Sequence, residues 1–218
     1  MGHVPHLYLP GPWSESRIPL DGIQLNHLTK VLRRVAQSPM SYTNGNGRIG
    51  AGTFDGYAVV RGDERDIPKP APTLCIAVAP PRAKDRVRFL VEKLSELGVD
   101  ELQWINTDLG QGSPPQSAKA ASWAIAALEQ SRGAWLMEIS GPVDLEDLTG
   151  HVVIADVTGG GFVTTAAERY TLVVGPEGGL REVEYSGKAP RISLSDGILR
   201  TETAAVVGAA ILMKGLDR

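Results

Sequence analysis

Two segments of the chain combine residue types that could bind a ligand. The first is Gly175-Pro176-Glu177-Gly178-Gly179, which directly follows the apolar run TLVV. Because glycine has no side chain, a ligand or another stretch of backbone can approach such a turn closely. The turn lacks the G-x-G-x-x-G order of dinucleotide sites and the Lys-Ser/Thr of phosphate loops. It therefore predicts either a site for a different ligand or a tight strand-to-helix connection.

The second segment has the sequence SLSDGILRTETA and covers residues 193–204. Thr201 could cap the helix that follows, and Glu202 would complement the dipole of its first turn. Arg200 is not explained in this way, because a cation is unfavourable beside a helix N-terminus. We expect Arg200 to face an anion, such as a phosphate or a ligand carboxylate.

A third segment, PPRAKDRVR at residues 80–88, brings four basic residues to the start of a predicted helix. Such a run is most often a solvated charged face. It could equally hold RNA phosphates, because clustered arginine and lysine side chains neutralise a polyanion. Both interpretations remain open at this point.

These segments belong to a region in which apolar runs alternate with helical periodicity, a pattern typical of an α/β domain with a mostly parallel sheet. Apolar residues recur on one helical face from Val87 to Leu97, and Gly98 follows at the position of a C-terminal cap. Further helices are predicted within Ser117–Arg132 and Thr201–Lys214. The predicted strands are TLCIAVA, ELQWIN, AWLMEI, HVVIADV, TLVVG and RISLS.

The first third of the chain has short apolar runs broken by Gly, Pro, Asn and Ser, which predicts a small β-barrel-like module. The stretch DERDIPKPAPT then contains three prolines, which stiffen the backbone and cannot continue the interior of a sheet. We therefore predict two domains, at residues 1–70 and 71–218.

Composition narrows the class of protein. The 218 residues are 42% hydrophobic and 22% charged, as in an ordinary globular protein. A net charge of −3 argues against an indiscriminate nucleic-acid binder, although residues 1–72 carry +2 and residues 73–218 carry −5. The single cysteine, Cys75, lies in an apolar run and is expected to be a buried core thiol. With no apolar run of membrane-spanning length and no signal-peptide pattern, we expect a cytoplasmic protein.

Taken together, the motifs resemble the small-subunit ribosomal RNA uridine-N3 methyltransferases, often called the RsmE family, of the SPOUT superfamily. The similar segments follow the family's order and span nearly the whole chain. They are HLTKVLRR (residues 27–34), EKLSELGVD (92–100), EQSR (129–132), GPEGG (175–179) and LSDGILRTETA (194–204).

The resemblance implies an N-terminal PUA-like barrel that binds RNA and a C-terminal SPOUT domain whose last segments thread a trefoil knot. It implies S-adenosyl-L-methionine as cofactor and methylation of N3 of a uridine in 16S rRNA, a step of rRNA processing in ribosome biogenesis. The expected partners are that RNA, free or in the assembled small subunit, and a second copy of the chain in a homodimer. The four histidines do not show metal-ligand spacing, and no metal is expected.

Three sets of site residues follow from the motifs and the resemblance. Arg200 is expected to stabilise charge on the base or to clamp a phosphate, and Glu202 to position the base or accept its proton unless it only caps the helix. The expected cofactor-binding residues are Val174, Gly175, Gly178, Gly179, Leu194, Ile198, Leu199 and Thr203. The expected RNA-binding residues are Lys30, Arg33, Arg34, Arg82, Lys84, Arg86 and Arg88.

The sequence also departs from the family pattern. Where family members carry Ser-Glu-Arg-Ser, this chain reads NTDLGQGS at residues 106–113, without the arginine. Ser195-Asp196 stands in place of the usual leading glycine of the last motif. These departures leave open an alternative function, that of a non-catalytic RNA-binding or ribosome-assembly factor that keeps the fold.

Overall fold

The computed structural model describes residues 4–181 and 189–218. Contacts divide the chain into two compact units. The first comprises Met1–Lys69 together with Leu128–Leu136, and the second comprises Pro70–Ala127 and Met137–Arg218. The sequence-based division at residue 70 did not assign the segment Leu128–Leu136 to the first unit.

The first unit is built on a mixed five-stranded sheet with the strand order β1-β3-β4-β5-β2. Strand β1 is parallel to β3, and the other neighbours are antiparallel. Its core contains Leu7, Leu28, Met40, Tyr42 and Phe54, among other buried side chains. The strands are β1 (His6–Tyr8), β2 (Arg17–Pro19), β3 (Ser38–Thr43), β4 (Arg48–Phe54) and β5 (Ala58–Asp66).

A short helical segment connects β2 to β3. Helix α1 (Gly22–Asn26) begins at Asp21, whose side chain accepts a hydrogen bond from the Gln24 backbone, while the Gln24 side chain accepts one from the Asp21 backbone. This reciprocal capping satisfies two backbone donors that the helix would otherwise leave unpaired. The chain continues as a π-helical turn at His27–Val31, which buries Leu28 in the core.

The predicted strand AWLMEI is only partly correct. Strand β8 covers Glu138–Val143, whereas the preceding residues bond to the β3–β4 connection. Gly47 N–H donates to the Ala134 carbonyl at 2.9 Å, and Leu136 N–H donates to the Gly45 carbonyl at 2.9 Å. Because these long-range partners take their backbone groups, residues 134–136 cannot continue the ladder of β8.

The second unit contains a six-stranded sheet with the order β11-β9-β10-β6-β7-β8, and all of its paired strands are parallel. This confirms the predicted α/β class with a parallel sheet. The predicted strand RISLS is shorter than expected, because β11 covers only Arg191–Ile192 and Ser193 adds one further bond, from its N–H to the Gly160 carbonyl of β9 at 2.8 Å. The remaining strands are β6 (Thr73–Val78), β7 (Glu101–Ile105), β9 (His151–Gly160), β10 (Arg169–Val174) and β11 (Arg191–Ile192).

The three predicted helices are confirmed as α2 (Lys84–Leu97), α3 (Ser117–Ser131) and α4 (Thr201–Gly215). Helix α2 ends at Gly98, whose φ of 81° is in the left-handed region that glycine adopts without strain. Helix α4 packs against α2 and against strands β6 and β10. Gly208 permits this approach, since a Cβ there would lie 2.3 Å from Leu172 Cδ2.

Cys75 lies at the centre of this sheet and is fully buried, as predicted. Burial raises the pKa of its thiol to about 11, so the thiol stays protonated at neutral pH and is a poor nucleophile. Among the described residues, no helix is both long enough and apolar enough to cross a membrane.

A buried ion pair joins Asp100, after α2, to Arg218, after α4. Arg218 Nη2 lies 2.6 Å from Asp100 Oδ2, and the two side chains are 1% and 2% exposed. The same carboxylate oxygen accepts a 2.8 Å hydrogen bond from the Leu74 backbone N–H at the start of β6. Asp100 therefore links strand β6 to the end of α4.

We expect Asp100→Asn to lower the free energy of unfolding by about 3–5 kcal/mol, because it leaves the buried Arg218 without a counter-charge. Urea denaturation followed by circular dichroism measures this loss. Glu96→Gln is the control, since it removes a carboxylate from a solvent-accessible pair with Lys93 and should shift the midpoint little. Equal midpoints for the two variants would contradict the prediction.

Candidate active site

A cavity of about 340 Å³ opens at the carboxyl end of β10, beside the part of β9 that extends beyond its pairing with β10. Ligands bind at this edge in open parallel α/β sheets, because the loops that follow the strands converge there. We call it the glycine-turn cavity. Three segments line it: residues 154–157 of β9, residues 174–180, and residues 194–204 in part.

The glycine turn is held in place by the start of helix α4. Gly179 N–H donates to the Pro176 carbonyl at 2.8 Å, and Gly179 has a φ of 76°. The hydroxyl of the buried Thr201 donates to the Gly175 carbonyl at 3.0 Å. Thr201 was a candidate helix cap, but Arg200 holds the cap position and makes no side-chain capping bond. The Thr201 hydroxyl is used by the turn instead.

Most of the residues predicted to bind the cofactor line this cavity. Leu194 and Leu199 are half-buried, whereas Ile198 is 90% exposed at its edge. Thr203 is exposed and does not line the cavity, because at this point of α4 the inward positions are those of Thr201 and Ala204. The predicted residues among the lining are Val174, Gly175, Gly178, Gly179, Leu194, Ile198 and Leu199.

Two carboxylates that the sequence analysis did not select as ligand contacts, Asp156 and Glu177, also line the cavity, whereas its described lining residues include no lysine or arginine. Asp156 accepts hydrogen bonds from the backbone N–H and hydroxyl of Thr158, at 2.8 and 2.7 Å. These bonds lower the pKa of the Asp156 carboxyl, which is therefore ionised at neutral pH. Arg191 Nη1 lies 3.5 Å from its other oxygen. The sequence signal that could have identified Asp156 was its position near the end of the predicted strand HVVIADV.

Neither of the two predicted catalytic residues lines the cavity. Arg200 is exposed beside the N-terminus of α4. Glu202 is 7% exposed, and its Oε1 lies 3.5 Å from Nε of Arg86. Glu202 Oε2 is buried and has no hydrogen-bond partner among the residues that the structure describes. Glu202 thus contacts a basic residue that the sequence analysis had assigned to RNA phosphates.

The basic residues before and within α2 separate into two groups. Arg82 and Arg86 line a second cavity, which adjoins the glycine-turn cavity at Glu177 and Gly178. Lys84 and Arg88 are exposed, and Arg88 pairs with Glu92 at 2.7 Å on the helix surface. The second cavity is also lined by Leu109 and Gln111, from the loop that departs from the family pattern.

In the first unit, the three predicted RNA-binding residues lie in or directly after the π-helical turn. Lys30 and Arg33 are exposed, and Arg34 is half-buried. Arg33 has a φ of 51°, in the left-handed region, and Arg34 N–H donates to the Leu28 carbonyl at 2.8 Å. The turn therefore presents two exposed basic side chains within four residues of each other.

A family model described as RNA methyltransferase domain matches residues 68–213. The chain belongs to this RNA methyltransferase family. The match covers β6 through nearly all of α4, and so includes both cavities. It confirms the family that the sequence motifs predicted.

Three solved structures are similar to this RNA methyltransferase-family chain over nearly its whole length. A probable rRNA methyltransferase from Porphyromonas gingivalis is 24% identical, covers 98% of this chain and 99% of its own, and has a TM-score of 0.83. A putative methyltransferase from Legionella pneumophila, solved with S-adenosylmethionine, is 20% identical, with 98% of each chain covered and a TM-score of 0.85.

The third structure is ribosomal RNA small subunit methyltransferase E from Neisseria gonorrhoeae, bound to S-adenosylmethionine. It is 21% identical, with 97% of this chain and 98% of its own covered and a TM-score of 0.80. A sequence search of curated proteins finds no match. At these identities the likeness establishes the fold, and the bound molecule in two of the neighbours agrees with the cofactor expected from the motifs.

We expect Thr201→Val to lower the free energy of unfolding by about 1–2 kcal/mol, because the Gly175 carbonyl loses its buried donor while the side-chain volume is kept. Thermal denaturation measures the change. Thr203→Val is the matched control, because Thr203 is exposed and lies only two residues further along the same helix. A control as unstable as Thr201→Val would show that the Gly175 bond is not the cause.

Proposed function

We propose that the protein is an S-adenosylmethionine-dependent methyltransferase that methylates N3 of a uridine in 16S rRNA of the small ribosomal subunit. The observation that carries the proposal is the glycine-turn cavity, which lies within the RNA methyltransferase match and has an acidic and apolar lining. The choice of N3, of uridine and of the small-subunit RNA rests on the sequence motifs.

The lining of the glycine-turn cavity fits the donor. Its volume of about 340 Å³ is within the range of small-molecule sites. S-adenosylmethionine carries a positive sulfonium and an ammonium group, which Asp156 and Glu177 can attract. A dinucleotide or nucleoside triphosphate would instead bring phosphates against these carboxylates. The charge of the cavity therefore favours the methyl donor over a phosphate-containing cofactor.

The residues that would hold the donor divide by chemistry. The backbone at Val174 and at the three glycines of the turn can hydrogen-bond its polar edges, and the side chains of Leu194, Ile198 and Leu199 can enclose the adenine. Thr203 faces outwards and would act only at the rim of the site. The bound donor supplies a methyl group that is already activated, so the protein contributes alignment and electrostatic stabilisation.

Arg200 is proposed to contact an RNA phosphate rather than the reacting base. It is exposed at the start of α4 and makes no ion pair or side-chain hydrogen bond to any described residue. A guanidinium in this setting binds phosphate in a planar, bidentate manner. Glu202 is buried and pairs with Arg86, so its proposed role is exerted through that arginine.

The remaining basic residues are proposed as the phosphate-contacting surface. Their affinity for RNA should fall steeply with salt and carry little sequence information. The choice of target would then depend on RNA shape and on exposure of the base. They are Lys30, Arg33 and Arg34 in the first unit, and Arg82, Lys84 and Arg88 in the second.

Three finer features of the architecture complete the proposal. The five-stranded sheet of the first unit would be the PUA-like barrel. In the second unit, residues between 194 and 201 line one cavity together with the turn at 175–179 and residues 154–157 of β9, as a trefoil knot around the donor would require. Val157 and Ile198 are 58% and 90% exposed beside the cavity, and such an apolar surface would suit a homodimer interface.

The proposal is tested by calorimetric titration of the purified protein with S-adenosylmethionine and by mass spectrometry of rRNA nucleosides from a strain that lacks the gene. Donor binding together with loss of N3-methyluridine from 16S rRNA is the expected result. Absence of binding would overturn the donor site. Binding with loss of a different methylated nucleoside would retain the enzyme class and reject the N3-uridine assignment.

The alternative is an RNA-binding or ribosome-assembly factor without turnover. It is favoured by the loop at 106–113, which lacks the family's arginine and lines the second cavity through Leu109 and Gln111. Binding of the donor with an unchanged set of methylated nucleosides, but with altered ribosomal subunit profiles in the deletion strain, would support this function instead.

We expect Asp156→Asn to weaken binding of S-adenosylmethionine about fivefold, because a partly exposed charge pair contributes roughly 1 kcal/mol. Binding of S-adenosylhomocysteine should weaken less, since its sulfur is uncharged. Calorimetry with both ligands gives the ratio of dissociation constants. Asp196→Asn is the control, because it makes the same change at an exposed carboxylate that does not line the cavity. An unchanged ratio in Asp156→Asn would rule out this role for Asp156.

A further inference from the structure

The second cavity has a different chemical character from the glycine-turn cavity. It measures about 650 Å³ and is lined by residues 82, 83 and 86, by residues 109 and 111, and by Glu177 and Gly178. We call it the arginine cavity. Two guanidinium groups, one amide and one leucine side chain meet there. Because Glu177 and Gly178 line both cavities, a ligand in one would lie next to a ligand in the other.

Arg86 is held at this cavity by charge more than by hydrogen bonds. Its Nε lies 3.5 Å from Glu202 Oε1, and its Nη1 lies 3.6 Å from Glu177 Oε1. Both distances exceed the 2.7–3.2 Å of a good N–H···O hydrogen bond. The guanidinium side chain is 33% exposed. The two carboxylates therefore fix its position while its N–H groups can still donate to a ligand.

Glu202 is the more unusual member of this cluster. Its side chain is 9% exposed, and Oε2 has no hydrogen-bond partner among the described residues. A buried carboxylate with so few partners costs stability, which indicates a role other than packing. Glu202 lines neither cavity, so it can act on a ligand there only through Arg86.

The loop that departs from the family pattern forms another wall. Leu109 contacts the glycine turn, since a Cβ on Gly178 would lie 3.2 Å from Leu109 Cβ. Gly112 packs against the segment before α2, because a Cβ there would lie 1.9 Å from the Pro80 carbonyl. The loop is thus seated on both neighbours and directs Leu109 and Gln111 to the cavity. The loop at residues 106–113 lacks the family's arginine, and the positive charge at this cavity comes from Arg82 and Arg86 instead.

We infer that the arginine cavity receives the target pyrimidine, that Arg86 donates hydrogen bonds to a ring carbonyl oxygen of uracil, and that Glu202 is the residue that positions Arg86. This inference rests on the proposed function. Uracil presents carbonyl acceptors on both sides of N3–H, and these complement the donors of a guanidinium. Leu109 can pack on the face of the ring, and Arg82, exposed at the rim, can contact the nucleotide's phosphate.

The same geometry gives Arg86 a role when N3 loses its proton to solvent or to a base. The negative charge then spreads onto the carbonyl oxygens, where a fixed cation stabilises it. Cytosine carries an amino donor in place of the C4 carbonyl, so a guanidinium placed to contact O4 of uracil would meet cytosine donor to donor. Arg86 therefore favours uracil over cytosine.

The inference is tested with uridine 5′-monophosphate and cytidine 5′-monophosphate, titrated by ligand-observed NMR into protein saturated with S-adenosylhomocysteine. The wild type should bind the uridine nucleotide more tightly. Arg86→Gln should weaken that binding about tenfold and remove the preference. Lys93→Gln is the control, because it removes a positive charge from the same helix at a solvent-accessible position outside the cavity. An unchanged preference in Arg86→Gln, or no preference in the wild type, would overturn the inference.

Arg86→Gln also leaves Glu177 and Glu202 without their counter-charge, which could disturb the fold. A second variant tests the cavity without removing that charge. Ala83→Leu fills the arginine cavity while keeping the charge cluster, and should block nucleotide binding with donor binding unchanged. Retained nucleotide binding in Ala83→Leu would overturn the inference.

Methylation of RNA from the deletion strain separates this inference from the proposed function. Arg86→Gln should lower kcat/KM about 100-fold and move the rise of the pH–rate profile to higher pH. If the wild type methylates RNA and Arg86→Gln does so equally well, the role of Arg86 is wrong and the proposed methyltransferase activity stands. If the protein prefers uridine through Arg86 but methylates no RNA, the arginine cavity is a uridine site and the proposed methyltransferase activity is wrong.

Discussion

The first turn of helix α4 is the constraint on which both cavities depend. Thr201 donates its hydroxyl to the carbonyl of Gly175 and so fixes the glycine turn after β10. The next residue, Glu202, pairs with Arg86 of helix α2. Ala204 lines the glycine-turn cavity one turn further on. Neighbouring side chains on a helix point about 100° apart. Residues of one turn can therefore bond to the glycine turn, form an ion pair with α2 and line a ligand cavity.

Two buried carboxylates in this unit show how differently the chain uses charge. Asp100 is 6% exposed, lies 2.6 Å from Arg218 and accepts a hydrogen bond from the Leu74 backbone. Glu202 is 7% exposed, but its ion pair is 3.5 Å long and one oxygen has no partner among the described residues. Removing one partner of the close Asp100–Arg218 pair would leave a buried charge uncompensated, whereas the longer Glu202–Arg86 pair leaves the guanidinium able to donate to a ligand. The first arrangement suits a structural link and the second suits a site.

The two cavities are complementary in charge and share one wall. Asp156 and Glu177 give the glycine-turn cavity an acidic lining, and Arg82 and Arg86 give its neighbour a basic one. Glu177 lines both, so the two cavities share one carboxylate. A cationic donor and a base that becomes anionic as it loses its proton would each meet the opposite charge. In this member of an RNA methyltransferase family, positive charge is concentrated locally although the chain carries a net charge of −3.

The sequence by itself determined the α/β class, the three long helices of the second unit and the glycine turn, because hydrophobic periodicity and glycine chemistry act over a few residues. The family followed from motifs spread along the chain. Only the tertiary structure decided that Thr201 bonds to Gly175 rather than capping its helix, that Arg86 belongs with Glu202, and that residues 134–136 bond to the β3–β4 connection. Each of these depends on partners more than 20 residues away in the chain, which local patterns do not encode. Burial then determined which charged groups remain available to a ligand.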